Sequence, residues 1–290
     1  MLEISLFVNG IVLGLVYAAV ALGFSLVLGV SGVINFSHGI TFTCGAYFFW
    51  VIYQKIGWIP ALIVAPMFVA AIGFFIERLV VRRIYGQDPL FGLLITLGFA
   101  LALEELIQMI FGPGVYNISA PAFASGAFIV GDFLYSKYRI FIAFVAALMI
   151  ASVWFFEART KYGAVVRAGM FNTEMVGALG HNLFRMRVFI MVLGSFIAGM
   201  AGILAAPMWS VKPTMGHLIL MPSFIITLIG GLGSIPGTLI GGLLVGICLS
   251  MGTHPALGIA RFVDIIPFIL MGIVIYFWPR GLMGQQHIVE

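Results

Sequence analysis

The residues of this sequence that could do chemistry are few and far apart. An acidic pair, Glu104-Glu105, sits inside an apolar stretch, Asp264 follows Arg261 by three residues, and Asn35, Ser37 and His38 cluster in a Gly/Ser-rich segment. Clustered carboxylates and imidazoles could relay protons or hold a metal, but that needs several such groups converging on one point. Glu104 and Glu105 are neighbours, so on a helix they project about 100° apart and cannot both line one path. Asp264 reads as a local ion pair with Arg261. Asn35, Ser37 and His38 can either staple a broken backbone or touch a solute. The histidines, His38, His181, His217, His254 and His287, lack ligand spacing. Cys44 and Cys248 lie in apolar runs and read as small hydrophobes, with no disulfide framework. There is no Gly-Lys dipeptide and hence no phosphate-cradling loop, no G-x-S-x-G elbow and no H-E-x-x-H helix. We therefore expect no catalytic residue, no metal and no cofactor in this chain. A proton-coupled pump is disfavoured for want of a relay of buried acids or histidines. Energy for uphill work would have to come from a partner.

The elements that position these residues follow from composition. Hydrophobic residues make up 62% of the 290 positions and charged residues only 8%, and mean hydropathy is +1.18. A soluble domain carries about a quarter charged residues, so most of this surface must meet lipid or other membrane helices. Spanning the hydrocarbon takes about 20 apolar residues as a helix. Apolar windows run over 4–28, 40–53, 59–76, 91–111, 140–156, 188–206, 218–232, 238–251 and 262–278. The expected fold is an all-α polytopic membrane helix bundle of eight or nine spans with broken helices, one transmembrane domain over 1–290. The N-terminal run is too long for a signal-peptide core and carries Glu3 with no Lys or Arg, so it reads as the first membrane helix.

Gly/Ser-rich breaks interrupt this pattern at Gly29–Gly39 and Gly230–Gly242. Unpaired backbone is tolerated in a membrane only against protein or a watery cavity, and transporters place broken helices on the substrate path. Asn35, Ser37, His38, Glu104, Gly231 and Gly233 are therefore candidates for a translocation path, although each break also reads as an ordinary tight loop. Small residues spaced by four, at Gly10/Gly14, Gly233/Gly237/Gly241 and Gly242/Gly246, suit close helix packing. One set of loops holds Arg78, Arg82, Arg83, Arg159, Lys161, Arg167, Arg185, Arg187 and Arg280; the other holds Lys55, Lys137, Arg139, Lys212 and Arg261. The richer set is expected inside the cell, which puts the N-terminus outside and the C-terminus inside.

The long hydrophilic segment, 157–187, lies on that inner side. Gly163–Ala168 can form a short helical piece. Asn172 or Thr173 can cap a second short helix with Glu174 in its first turn, ending at Gly180. Such a pair of helices is either a docking element for a cytoplasmic motor or a solvated interfacial loop.

At these residues the sequence resembles the membrane permeases of bacterial ABC importers for branched-chain amino acids, the LivH-type transmembrane subunits. The resemblance covers essentially the whole chain. It rests on Asn9-Gly10 and Gly14–Gly23 leading into Asn35-Phe36-Ser37-His38-Gly39, and on Gly163-x-x-x-Arg167-Ala168 followed by Glu174, Ala178 and Gly180. Gly230–Gly237 and the closing Pro279-Arg280-Gly281-Leu282-Met283-Gly284 complete it. Gly169-Met170-Phe171-Asn172 departs from the family pattern. The resemblance implies a multi-pass subunit of the bacterial inner (cytoplasmic) membrane that is not itself an enzyme. Its implied partners are a second permease subunit, in that family usually a paralogue, two cytoplasmic ATPase subunits that use ATP and Mg, and a periplasmic substrate-binding protein. Gly163, Arg167, Ala168, Glu174, Ala178 and Gly180 would couple it to the ATPases. Leucine, isoleucine and valine are the default cargo; urea, short amides, other amino acids or aromatic acids remain open on the same scaffold. A stand-alone secondary transporter would need coupling acids that the sequence lacks, and an intramembrane enzyme would need catalytic clusters.

Overall fold

A computed structural model describes residues 2–130 and 133–284; His287 lies outside them. Each of the nine apolar windows becomes a helix: α1 (Leu2–Ser31), α2 (Ser37–Ile56), α3 (Trp58–Leu79), α4 (Pro89–Phe111), α5 (Lys137–Arg159), α8 (Leu183–Trp209), α9 (Met215–Gly230), α10 (Ile235–Gly252) and α11 (Ile266–Phe277). Between α5 and α8 stand two short helices, α6 (Lys161–Phe171) and α7 (Thr173–Ala178). Seven helices among the described residues are long and apolar enough to cross a membrane. The exceptions among the nine windows are α2 and α9, the helices that follow and precede the two breaks. The first carries many polar residues and the second is 16 residues long.

The chain divides into two compact units. The first comprises Met1–Leu22, Ala120–Ser152 and Pro222–Glu290; the second comprises Gly23–Ser119 and Val153–Met221. In the first unit the small-residue spacing finds its use. A Cβ on Gly10 would stand 2.6 Å from Ile247 Cα, and one on Gly246 would stand 2.3 Å from Gly14 N. The Gly10/Gly14 row of α1 thus lies directly on the Gly242/Gly246 row of α10, backbone to backbone. Ser250 Oγ donates to Leu6 O (2.6 Å) at the end of the same seam.

The connection between α4 and α5 carries a strand pair. Strands β1 (Ala127–Val130) and β2 (Phe133–Ser136) pair antiparallel, Ala127 opposite Ser136 and Val130 opposite Phe133. Two apolar quartets flanking Gly131-Asp132 are a two-residue hairpin signal that helix-scale windows average away. Tyr135 OH donates to Asn9 Oδ1 (3.0 Å), and the Arg139 guanidinium donates to the same oxygen.

In the second unit α2, α3 and α8 pack as a trio, each directly against the other two, with glycines at the crossings. A Cβ on Gly45 would meet Gly199 O at 2.2 Å, one on Gly202 would meet Phe42 O at 2.0 Å, and one on Gly73 would meet Ser195 Oγ at 2.3 Å. Phe42, Tyr47, Phe49, Ile203 and Leu204 fill what remains and are fully buried. Close packing of this kind must replace hydrophobic drive between membrane helices, because lipid tails are as apolar as leucine.

Candidate functional site

The first break, 32–36, is held from within and from α4. Gly32 takes a left-handed turn (φ +67°) after Ser31. Asn35 Oδ1 accepts from the Ser37 amide (3.1 Å) and the Ser37 hydroxyl (2.5 Å), while Asn35 Nδ2 reaches Met191 Sδ at 3.4 Å. Thr96 of α4 accepts from Phe36 N (3.0 Å) and donates to Gly92 O (2.8 Å). Asn35, Ser37 and His38 are all buried. Asn35 and Ser37 therefore spend their hydrogen bonds on the backbone break, as an interior break requires. His38 stands edge-on to Phe24, with ring centroids 5.7 Å apart.

Glu104 and Glu105 separate as their spacing dictates. Glu105 is exposed, accepting from Gln108 Nε2 at 3.4 Å, while Glu104 is buried. Glu104 Oε2 lies 2.6 Å from His217 Nε2 in the first turn of α9. It is a close carboxylate–imidazole contact that joins α4 to α9. The pair borders a narrow cleft that reaches the break, lined among others by Phe36, Gly39, Thr43 and Gly216. The partner of Glu104 lay 113 positions away with no local signal, so sequence reasoning missed His217. The expected pair of Arg261 and Asp264 does not form. Both side chains are exposed, where such a pair gains little over water.

Gly231 and Gly233 belong to the first unit, where the second break runs from 231 to 234. Gly231 (φ +96°) and Gly233 (φ +74°) both take conformations costly for other residues. The C-terminal segment docks here: Leu282 N donates to Ile229 O (2.7 Å) and Met283 N to Gly230 O (3.1 Å). A Cβ on Gly281 (φ +80°) would stand 2.5 Å from Gly231 N. The two late Gly-rich motifs are thus one structure, in which the end of the chain caps the orphan carbonyls of α9. Ser234 caps α10 by accepting from Gly237 N (3.2 Å).

In the 157–187 segment three side chains set the helices in series. Thr160 accepts from Gly163 N (2.9 Å) to start α6, Asn172 from Met175 N (2.9 Å) to start α7, and Asn182 from Arg185 N (3.0 Å) to start α8. Gly180 (φ +86°) ends the second short helix. α6 is longer than its sequence suggests, running on through Gly169-Met170-Phe171. Gly169 lets α6 lie against Met186, where a Cβ would come 2.6 Å from Met186 Cε. Gly163 lets α6 fold back on α5, since a Cβ there would stand 2.3 Å from Phe156 O.

Arg167 is half-buried, and its charge acts on the carboxylate of Glu157. Ala168, Glu174, Ala178 and Gly180 are exposed. Sequence reasoning missed the apolar residues beside them: Tyr162 (78% exposed), Met175 (59%) and Leu179 (72%), with Phe171 near them in sequence. The i, i+4 spacing of Met175 and Leu179 was the available signal. The far end of the segment is anchored by stacked cations. Arg187 lies 4.2 Å over the ring of Tyr85 and Arg82 lies 4.4 Å over Phe184. Tyr85 OH donates to Glu77 Oε1 (3.3 Å). Burial first, then the Glu77 charge, pushes the Tyr85 phenol above its usual range.

This arrangement has short capped helices with exposed apolar side chains, and two helix breaks held by hydrogen bonds. Comparison with known proteins accords with it. Residues 6–275 match the family model described as branched-chain amino acid transport system / permease component. The high-affinity branched-chain amino acid transport system permease protein LivH of Escherichia coli K12 is 29% identical over 299 residues, covering 97% of this chain and 95% of that one. The corresponding BraD of Pseudomonas aeruginosa is 27% identical over 297 residues, with 97% and 95% covered. A probable branched-chain amino acid transport permease protein, LivM of Methanocaldococcus jannaschii, is 26% identical over 285 residues, with 91% and 79% covered. With helices to cross a membrane repeatedly and a family match over nearly its full length, the chain belongs to the permease components of branched-chain amino acid transport systems.

Proposed function

We propose that this chain is one of two membrane permease subunits of an ATP-driven importer that carries leucine, isoleucine and valine across the cytoplasmic membrane. A binding protein delivers the solute from outside. Two ATPase subunits grip α6 and α7 from inside, using ATP and Mg that this chain does not itself bind. The N-terminus is outside and the C-terminus inside. The observation that carries this reading is the set of exposed apolar side chains on and next to α6–α7, Tyr162, Met175 and Leu179, with the exposed Glu174 adjacent to Met175 in sequence. These helices are too short to cross a membrane, so their apolar side chains suit a protein groove. The seven candidate spans supply the membrane part. Likeness to both LivH and LivM proteins supports pairing with a paralogue. Apolar surroundings with few charges suit a zwitterionic or neutral solute, and the relatives' names favour branched-chain amino acids within that range.

Closure of the ATPase pair would push α6–α7. The push would pass through the capped joint at Asn182 into α8, and from α8 into α2, against which it packs through Gly199 and Gly202. Helices so closely apposed move as a body, which alternating access requires. In proteoliposomes holding the full complex, labelled leucine uptake is expected only with ATP inside and binding protein outside. Excess unlabelled isoleucine or valine should suppress it, and urea, a short amide or an aromatic acid should not. ATP-independent uptake by the chain alone would remove this reading.

A further inference from the structure

We infer that the cleft bordered by α2, α4 and the first turn of α9 is a binding subsite for the charged end of a zwitterionic solute, with Glu104 taking its ammonium group. The inference rests on the transport reading and goes beyond it by naming where the solute is recognised inside the permease.

The pair of Glu104 and His217 is asymmetric. The Glu104 side chain is 11% exposed, whereas that of His217 is 46% exposed. The carboxylate is fixed and shielded, while the imidazole can leave for solvent. A carboxylate in apolar surroundings must keep a donor, and an ammonium group carries three. Such a group can therefore replace the imidazole without leaving Glu104 unpaired.

Thr43 gives the independent second observation. It is fully buried, it lines the same cleft, and its Oγ1 has no hydrogen-bond partner. An unpaired hydroxyl inside a packed helix pair is a cost unless something visits it. One turn further along α2, Tyr47 is also buried with its hydroxyl unpartnered. The remaining wall, including Leu97, Ala100 and Leu220, suits an aliphatic side chain.

As it stands the cleft has room for about one water. It is the closed form of a site that opens when the first turn of α9 moves off α2. The two meet there through glycines: a Cβ on Gly216 would stand 2.3 Å from Gly39 O.

The test uses the complete complex in proteoliposomes, with labelled leucine as the probe. Glu104→Gln is expected to slow uptake by about tenfold or more, the loss of a hydrogen-bonded charge. His217→Asn is expected to slow uptake clearly less than Glu104→Gln does, because the asparagine amide can still donate to Glu104 until the solute ammonium replaces it. Thr43→Val is expected to slow uptake by about threefold to fivefold while leaving the unfolding temperature unchanged or raised. Equal losses for Glu104→Gln and His217→Asn would show a structural fastener and overturn the subsite. So would wild-type rates for both Glu104→Gln and Thr43→Val. If Glu104→Gln fails to assemble, Thr43→Val decides alone. Absence of uptake by the wild-type complex would strike the transport reading itself, and with it this one.

Discussion

Replacing Met175 and Leu179 together by aspartate is expected to reduce coupled ATP hydrolysis and solute uptake by about a hundredfold or more while leaving the permease folded and membrane-inserted. The size follows from burial in the proposed complex. Two apolar anchors in a protein groove are each worth about 2 kcal/mol or more when truncated, and a charge in their place adds desolvation. In the free chain these residues are 59% and 72% exposed and hold nothing in place. The unfolding temperature should therefore move little. Glu174→Arg, at an exposed site in the same helix, is expected to act in the same direction by charge alone. Arg167→Glu is a poorer probe, because it would set a second carboxylate toward Glu157 and disturb α6 itself. The measurement is ATP hydrolysis by the partner ATPases with and without loaded binding protein, beside a melting curve for each variant. Full stimulation in the double aspartate variant would show that α6–α7 is a solvated loop.

Gly202→Val is expected to prevent recovery of folded protein. Its Cβ alone would stand 2.0 Å from Phe42 O, and the two further methyl groups have nowhere to go between α8 and α2. Backbone cannot rotate away as a side chain can, so the helices would have to separate, at about 3 kcal/mol or more. Gly45→Val attacks the same crossing from the other side, against Gly199 O at 2.2 Å, and should fail in the same way. Gly98→Val is the control: it lies on exposed α4 surface with nothing within 4 Å of its Cβ, and should be recovered at near wild-type yield. The readouts are yield of monodisperse protein in detergent and its melting temperature. Normal recovery of Gly202→Val would mean that α2 and α8 do not meet as described.

The helices were legible because their signal is local. An apolar window of membrane length has few other fates, and each such window formed one. The capping residue Asn172 was legible for the same reason, since a cap acts on amides three residues away. Gly163 stood out by motif, but its physical reason appears only in three dimensions, where α6 folds back onto Phe156 O. The hairpin 127–136 escaped because each of its strands is only four residues long, invisible at the scale of a membrane span. His217 escaped because nothing near it in sequence points to Glu104. The facing of Gly10/Gly14 by Gly242/Gly246 could be suspected from matched spacing, but which row meets which is decided by the fold. Phe171 and Asn172, which broke the family pattern, turn out to end α6 and cap α7.

The central claim is that the segment from Glu157 to Arg187 faces the cell interior and is covered there by a partner. It is tested most directly by placing a single reactive thiol at Leu179 in a background lacking Cys44 and Cys248, and exposing it to a membrane-impermeant thiol reagent. The reagent should label Leu179→Cys in inside-out vesicles and not in intact cells, and addition of the ATPase subunits should protect it. Labelling from the outside of intact cells would contradict the account.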